Sequence, residues 1–493
     1  MGINPATTLM INTFDICRFI LANRVHRPKL RGITMNETIQ IARRCHDLNF
    51  GDLSPDLIDR VKYLFLDFLG VAARGALSDS SRPIHGIISK VDNSPDQTVV
   101  IGSRLQCGMP YAALANGTAA HSLELDDVVN EASLHPGVAV IPATLAAAQM
   151  TGSPGTDFIT ALVAGYEVAV KLGIALNPAA HYAQGFHPTG TCGTLGAAVA
   201  VAKLMSPDQN TMANALGIAG SQAAGLMEFL TDGAFTKRLH AGWAAHSGLM
   251  AALLAGEQFS GPATVIEGQF GFLHAYSPQS DAAKLLKTWG QPFEVMRTSI
   301  KPHACCRYKQ GPIDGILKIM KDHNLTAADI DKVTLGILKA GFALVAEPIE
   351  KKRNPGSIVD AQFSMPFGAA VAILYQKAAL DEYTIENIEK PEIRALMEKV
   401  ECVIDPELEK DYPRKWPALA TITSRDGQRY MTKIEYPKGD PENPLTWREL
   451  IEKFNSLTAP VYSADKQKEI IDRVRSLDSE KDLNSFARML STD

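Results

Sequence analysis

"LSPDLIDRVKYLFLDFLGVAARG", residues 53–75, decides what kind of fold to expect. Ser54 is a side chain that caps helices, and Pro55 suits the first helical position, where its missing N–H costs nothing. Asp56 places negative charge in the first turn. Leu57, Val61, Leu64, Phe65 and Phe68 then recur at three- and four-residue spacing, the period of one helix face. "MSPDQNTMANALGIAGSQAAG" (205–225) repeats the device, with Ser206 as cap, Pro207 next and Gln209 closing a capping box. Between them, 111–121, 138–150, 158–175 and 193–204 are rich in Ala, Gly and Leu. Small residues let helices approach closely, so residues 36 to about 290 read as a tightly packed helical bundle.

The texture changes near "QPFEVMRTSIKPHACCRY" (291–308). "KVTLGIL" (332–338) is short and β-branched, and "ATITSRDGQRYMTKIEYP" (420–437) is two strand-like runs around Asp426-Gly427, a hairpin signal. Helical patterns at 310–322 and 365–378 lie between them, so this stretch predicts an α+β domain. After the loop "PKGDPENP" (437–444), helical patterns resume over 446–490, either as a tail or as a return to the bundle. These textures divide the chain into a leader at 1–34, a helical domain at 35–292, an α+β domain at 293–437 and C-terminal helices at 438–493. The fold class is mainly α.

Length alone favours two domains in 493 residues. A net charge of −5 offers no broad basic surface of the kind nucleic acid requires. Apolar runs such as 138–148 fall short of the ~20 residues of a membrane span. Seven scattered cysteines do not resemble a secreted disulfide framework, which points to a reducing, cytoplasmic setting. The first 34 residues carry Arg18, Arg24, Arg27, Lys29 and Arg31 against one acid, Asp15. A mitochondrial transit peptide can look like this; the plainer expectation is a disordered leader or an extension ahead of Met35.

Histidine is where chemistry is sought, because its unperturbed pKa lies nearest neutrality. "AAHSLELDDVVNEASLHPG" (119–137) gathers His121, Glu124, Asp126, Asp127 and His135. His121, Glu124 and Asp127 are spaced to share a helix face, and Pro136-Gly137 breaks the helix beside His135. "GFHPTGTCGTLG" (185–196) sets His187 before Pro188, with Gly190, Gly193 and Gly196 ahead of a helix whose free amides could face an anion. "FTKRLHAGWAAHSG" (235–248) supplies Lys237, Arg238, His240 and His246; "KPHACCRYKQGP" (301–312) supplies His303 and Arg307.

Each has a bland reading. His121 and His246 are taken as hydrogen-bonded core residues, Lys237 and Arg238 could neutralise a helix end, and Cys305 and Cys306 read as packing residues. "GTCGTLG" lacks the dinucleotide spacing, no P-loop or GxSxG occurs, and no metal or cofactor is expected. What remains is cations for an anionic substrate with imidazoles and carboxylates for proton transfer.

"VKYLFLDFLGVA", "ANGTAAHSLELDD", "HPGVAVIPA", "GFHPTGTCGTLGAA", "TKRLHAG" and "KPHACCRY", in this order, resemble the MmgE/PrpD family. It includes 2-methylcitrate dehydratases, cis-aconitate decarboxylases and an iminodisuccinate epimerase. The resemblance implies a large helical domain completed by the returning C-terminal helices at 438–493, a smaller α+β lid at 293–437, an active site in the cleft between them, and homodimers. It places catalytic roles on Glu124, His135, His187, Lys237 and His303, with Asp127 nearby; His240 and Arg307 would help bind the carboxylates. Glu124, where many members have Asp, and "ACCR" after His303 are departures that tilt the reading toward decarboxylation. The expected function is therefore a lyase on a small di- or tricarboxylate, decarboxylating or dehydrating. The alternatives are an epimerase using opposed histidine bases, and a non-catalytic metabolite-binding member.

Overall fold

The computed structural model describes residues 37–94, 98–205, 208–412 and 414–492. Expectations for the leader at 1–34, and for Ser206 and Pro207 as a helix start, lie outside them. The first helices are α1 (Glu37–Asp47) and α2 (Pro55–Gly75). The Ser54 hydroxyl accepts the Leu57 amide at 3.3 Å, so the cap read from sequence is the cap that forms. Phe65, wholly buried on α2, packs edge-on against Phe158 at 5.1 Å and beside Phe486 at 5.6 Å.

Around α2 stand α3 (Met109–Ala120), α4 (Gly137–Thr151), α5 (Gly155–Ala175), α6 (Pro188–Leu204), α7 (Gln209–Gln222) and α8 (Thr236–Gly256). Their small residues have the consequence expected of them. A methyl on Gly242 of α8 would stand 2.2 Å from Leu114 O and from Thr118 Oγ1 of α3, and one on Gly117 of α3 would stand 2.8 Å from the Gly242 α-carbon. The two backbones touch because neither residue carries a side chain.

Two local readings are corrected. α7 starts at Gln209, so Gln209 closes no capping box there, and its cap is Asp208, whose carboxylate accepts the Thr211 amide at 2.9 Å. Gly190, Gly193 and Gly196 do not precede a helix but lie inside α6, where a methyl on Gly193 would meet Ala139 at 2.7 Å. They serve helix packing, not anion binding.

Helix α5 is, among the described residues, the one helix long and apolar enough to cross a membrane, yet its apolar window is wholly buried inside the protein. Its polar residues are also consumed internally. Glu167 accepts the amides of Gly290 and Glu294 at 2.9 and 2.8 Å, and Lys171 pairs with Glu294 at 2.9 Å.

A two-residue pair, β1 (Thr98–Val99) and β2 (Gln106–Cys107), decorates the helical body. The second region is built on β3 (Ile330–Ile337), β4 (Val400–Ile404), β5 (Ala418–Ser424) and β6 (Arg429–Ile434), in the order β4-β3-β5-β6. β3 and β4 are parallel; β5 and β6 form the antiparallel hairpin turned at Asp426-Gly427, where Gly427 takes φ +85°. Helix α9 (Gln310–Asp322) lies on the sheet, and α10 (Met365–Tyr375) runs in the β3–β4 crossover. Ile313, Val333, Leu335, Phe367, Ala420 and Ile422 form this region's own core.

The C-terminal α11 (Trp447–Thr458), α12 (Ala464–Arg475) and α13 (Leu483–Met489) place Phe454, Ile470, Val474 and Phe486 in the first core. Lys453 of α11 pairs with buried Asp67 of α2 at 2.6 Å. The chain is thus mainly α, with a smaller α+β region between parts of one helical body.

Candidate active site

Helix α3 stops at Ala120, and residues 122–136 form no helix, so the shared helix face expected for His121, Glu124 and Asp127 does not exist. Side chains compete for the backbone here. Asp127 accepts the Gly137 amide at 3.1 Å and thereby caps α4, while Tyr166 of α5 donates to its other oxygen at 2.7 Å. Glu124 adopts φ +56°, a conformation that costs a non-glycine residue roughly 1–3 kcal/mol and that accumulates at functional sites.

The centre of the loop is Asp126, which the sequence reading named in the cluster without giving it a role. Its Oδ2 accepts His121 Nδ1–H at 2.7 Å and lies 3.1 Å from His135 Nδ1; its Oδ1 accepts Lys301 Nζ at 3.1 Å. His135 Nδ1–H also donates to the Asp127 carbonyl at 2.6 Å, and the His135 amide donates to Thr189 Oγ1. With Nδ1 committed as donor, the neutral ring leaves its lone pair on Nε2, which has no hydrogen-bond partner among the described residues.

The imidazoles continue in a row. The His121 ring lies 5.1 Å from His135 on one side and 5.7 Å from His187 on the other, nearly parallel to it at 21°. His187 caps α6, holds its amide to the Gly225 carbonyl at 3.0 Å, and meets His240 Nδ1 to Nδ1 at 3.1 Å, one of the two carrying the proton. Phe229 stands edge-on to both rings, at 5.8 and 5.9 Å. In the first turn of α8, Lys237 pairs with Glu124 and lies 5.4 Å over the Phe363 ring.

Charge is distributed unevenly. Burial opposes ionisation of Glu124, but Lys237 and Lys301 outweigh it and bring its carboxyl down to about 2. Burial likewise opposes Asp126, and His135, Lys301 and His121 hold it well below the carboxylate range. Burial brings His121 down to about 4 against the pull of Asp126, and His240 to about 4 with help from His121 and Lys237. His187 is depressed well below its ordinary value by burial and by neighbouring imidazoles. At neutral pH His121, His187 and His240 are therefore uncharged rings, set beside the Glu124–Lys237 and Asp126–Lys301 ion pairs. Burial pushes Asp127 the other way, up to about 7, against the Tyr166 hydrogen bond.

Glu124, His135, His187, Lys237 and His240 are linked by these contacts, while the hydrogen bonds of three other expected members run elsewhere. Asp127 spends both oxygens on the scaffold, as described. His303 Nε2 pairs with Asp314 Oδ1 of α9 at 2.9 Å, and its amide donates to Gln310. Arg307 holds Asp440 at 2.5 Å and Asn130 at 2.9 Å, its guanidinium over Trp416. The 301–307 segment instead contributes Lys301, which is 2 % exposed. It arrives there because Ser299 and Val128 exchange backbone hydrogen bonds at 2.7 and 2.9 Å, laying the segment along the acidic loop.

His121, Asp126 and His135 are close enough to surround a cation. A dication there would have to displace the two donors on Asp126 and sit beside the Lys301 ammonium, so the donor set fits a carboxylate holding two imidazoles better than a metal centre. His246 stays apart, stacked on Trp243 at 4.9 Å. The Cys305 thiol is buried and pushed up to about 11, which suits packing and not nucleophilic attack. A groove of about 670 Å³ in the α+β region, lined by Arg353 and Cys402 among others, includes none of these side chains.

Residues 39–284 match the MmgE/PrpD N-terminal domain and 303–479 the MmgE/PrpD C-terminal domain. A cis-aconitate decarboxylase of Aspergillus terreus is 28% identical over 92% of this chain and 96% of its own length. The mouse cis-aconitate decarboxylase is 28% identical over 92% of this chain and 93% of its own. A 2-methylcitrate dehydratase of Salmonella typhimurium is 31% identical, over 30% of this chain and 31% of its own length. With both domain matches in sequence order and lyases among its relatives, the chain belongs to the MmgE/PrpD family.

Proposed function

We propose that the protein is a lyase that decarboxylates a small polycarboxylate of the cis-aconitate type, using its own side chains for proton transfer. The observation that carries this reading is the His135 ring. Its Nδ1 is fixed by Asp126 and the Asp127 carbonyl, and its Nε2 is bare. Loss of CO2 leaves the electron pair of the broken C–C bond on carbon, delocalised toward a remaining carboxylate. His135, protonated at Nε2, delivers the proton that forms the new C–H bond, and Asp126 stabilises the imidazolium before transfer. Lys237 binds a substrate carboxylate and the charge that spreads onto it, exchanging its contact with Glu124 for one with substrate. Of His187 and His240, the ring that accepts at Nδ1 carries its proton on Nε2 and donates it to another substrate oxygen. That the cis-aconitate decarboxylases align over nearly the whole chain, and the dehydratases over less than a third, favours loss of CO2 over loss of water.

The test is incubation of purified protein with citrate, cis-aconitate and 2-methylcitrate, followed by proton NMR. The expected result is CO2 release with a new alkene signal from the aconitate-type acid; loss of water from the citrates alone would make the enzyme a dehydratase. A second reading, epimerisation, draws on His135 and His187 flanking the His121 ring as two separate bases. Deuterium entry beside a carboxylate, with neither CO2 nor alkene, would favour it. Dimerisation, implied by the family resemblance, is checked by sedimentation.

A further inference from the structure

We propose that His121 is a positioning residue for the reaction above, sharing Asp126 with His135 so that the carboxylate holds both rings and neither takes its full charge. The proposal rests on that reading for its catalytic meaning, but not for its geometry. His121 has no exposed side-chain surface, and its Nδ1–H makes the shorter contact to the same Asp126 oxygen that faces His135, 2.7 against 3.1 Å. Its Nε2 is buried without a hydrogen-bond partner among the described residues. A structural histidine ordinarily spends both nitrogens, as His181 does between the Tyr276 carbonyl and Thr191 Oγ1. His85 and His246 also leave one buried nitrogen unpaired among the described residues, but His121 does so in the middle of an imidazole row while sharing one carboxylate oxygen with a second imidazole.

The physical effect follows from counting donors. Asp126 receives His121 and His135 on Oδ2 and Lys301 on Oδ1. Each donor draws off part of the field that would otherwise favour an imidazolium at His135. The remaining groups facing the two rings are Glu124 on the acidic loop, His187 at the start of α6, and Lys237 and His240 on α8. Glu124 pairs with Lys237, whose charge still disfavours imidazolium at His121, His187 and His240, while the His121 donor acts on the Asp126 oxygen that faces His135. Removing it gives Oδ2 to His135 alone, so His135 should hold a proton to higher pH. An asparagine at 121 can place an amide N–H near the Nδ1 position and restore the wild-type balance.

The experiment uses the full chain with ring-labelled (15N) histidine, without substrate, comparing wild type, His121→Ala and His121→Asn, with His135 assigned by its loss in His135→Gln. The expected result is that the His135 titration moves up by about one pH unit in His121→Ala and returns close to wild type in His121→Asn. Identical titrations in all three would overturn the proposal. If His121→Ala does not fold, His121→Gln, which lacks a donor at the Nδ1 position, replaces it. With any acid that turns over, the limb of the kcat/KM profile reporting His135 should move in step with the NMR. A uniform loss of activity with no limb movement would mark His121 as merely structural. Because the NMR arm needs no turnover, failure of the lyase reading and failure of this proposal are separable.

Discussion

The loop at 121–137 and the segment at 301–307 look alike on paper: each sets a histidine beside a proline, with a cationic or anionic neighbour within a few positions. Folded, they do different work. In the first, His135 is held by Asp126 and a carbonyl with its outer nitrogen bare. In the second, His303 turns to Asp314 and Arg307 to Asp440, and it is Lys301 that crosses to the imidazoles. The difference lies in what the neighbouring element offers. The 301–307 segment is followed at once by α9, whose Gln310 and Asp314 take up the histidine; the 121–137 loop is followed by α4, whose first amide takes up Asp127 and leaves His135 to the row.

This contrast can be broken most sharply by alanine at the two histidines. His135→Ala should lower kcat by about 10²- to 10⁴-fold with little change in melting temperature, whereas His303→Ala should lower it less than about tenfold. Equal losses would erase the distinction. Next in size is Asp126→Ala, which strands Lys301 as a buried cation. Urea unfolding should show a loss of about 3–5 kcal/mol, and a loss under about 1 kcal/mol would mean the carboxylate is no hub.

Acid should also act on the first region more than the second. His121 is brought from 6.5 to about 4 on folding, so the unfolded chain binds the proton more readily. Stability is then lost as pH falls from about 6.5 to 4, by as much as about 3 kcal/mol, and thermal melts of His121→Asn should show a smaller drop. The smallest effect belongs to Arg307→Lys, which keeps the charge near Asp440 but loses the fork to Asn130; about 1–2 kcal/mol in unfolding is expected, with kcat little altered.

How far the sequence could be read follows the same division. The Ser54 cap, the small-residue helices and the Asp426-Gly427 hairpin were legible because each is a local preference that the fold leaves in place. The family match was legible for the order of its motifs. The helix expected through 121–127 was not, because Asp126 and Asp127 find partners on α5, α4 and residue 301, and those distant partners outweigh local spacing. Lys301 could have been noticed only by asking which cation balances a second buried aspartate. His121 was set aside as a core residue, and its burial agrees; what spacing alone could not reveal is that two more imidazoles lie on either side of it.

The bare α-carbons at 117 and 242 act as a gauge for the chemistry several residues away. One helix of that seam ends just before the acid at 124, and the other begins just before the ammonium at 237, so the gap between opposite charges is dictated by how thin the seam is. Thickening it by one methyl, as in Gly242→Ala, would displace the ends of both rods relative to each other. In the proposed site the spacing of Glu124 and Lys237 is therefore set partly by two glycines of a distant helix seam.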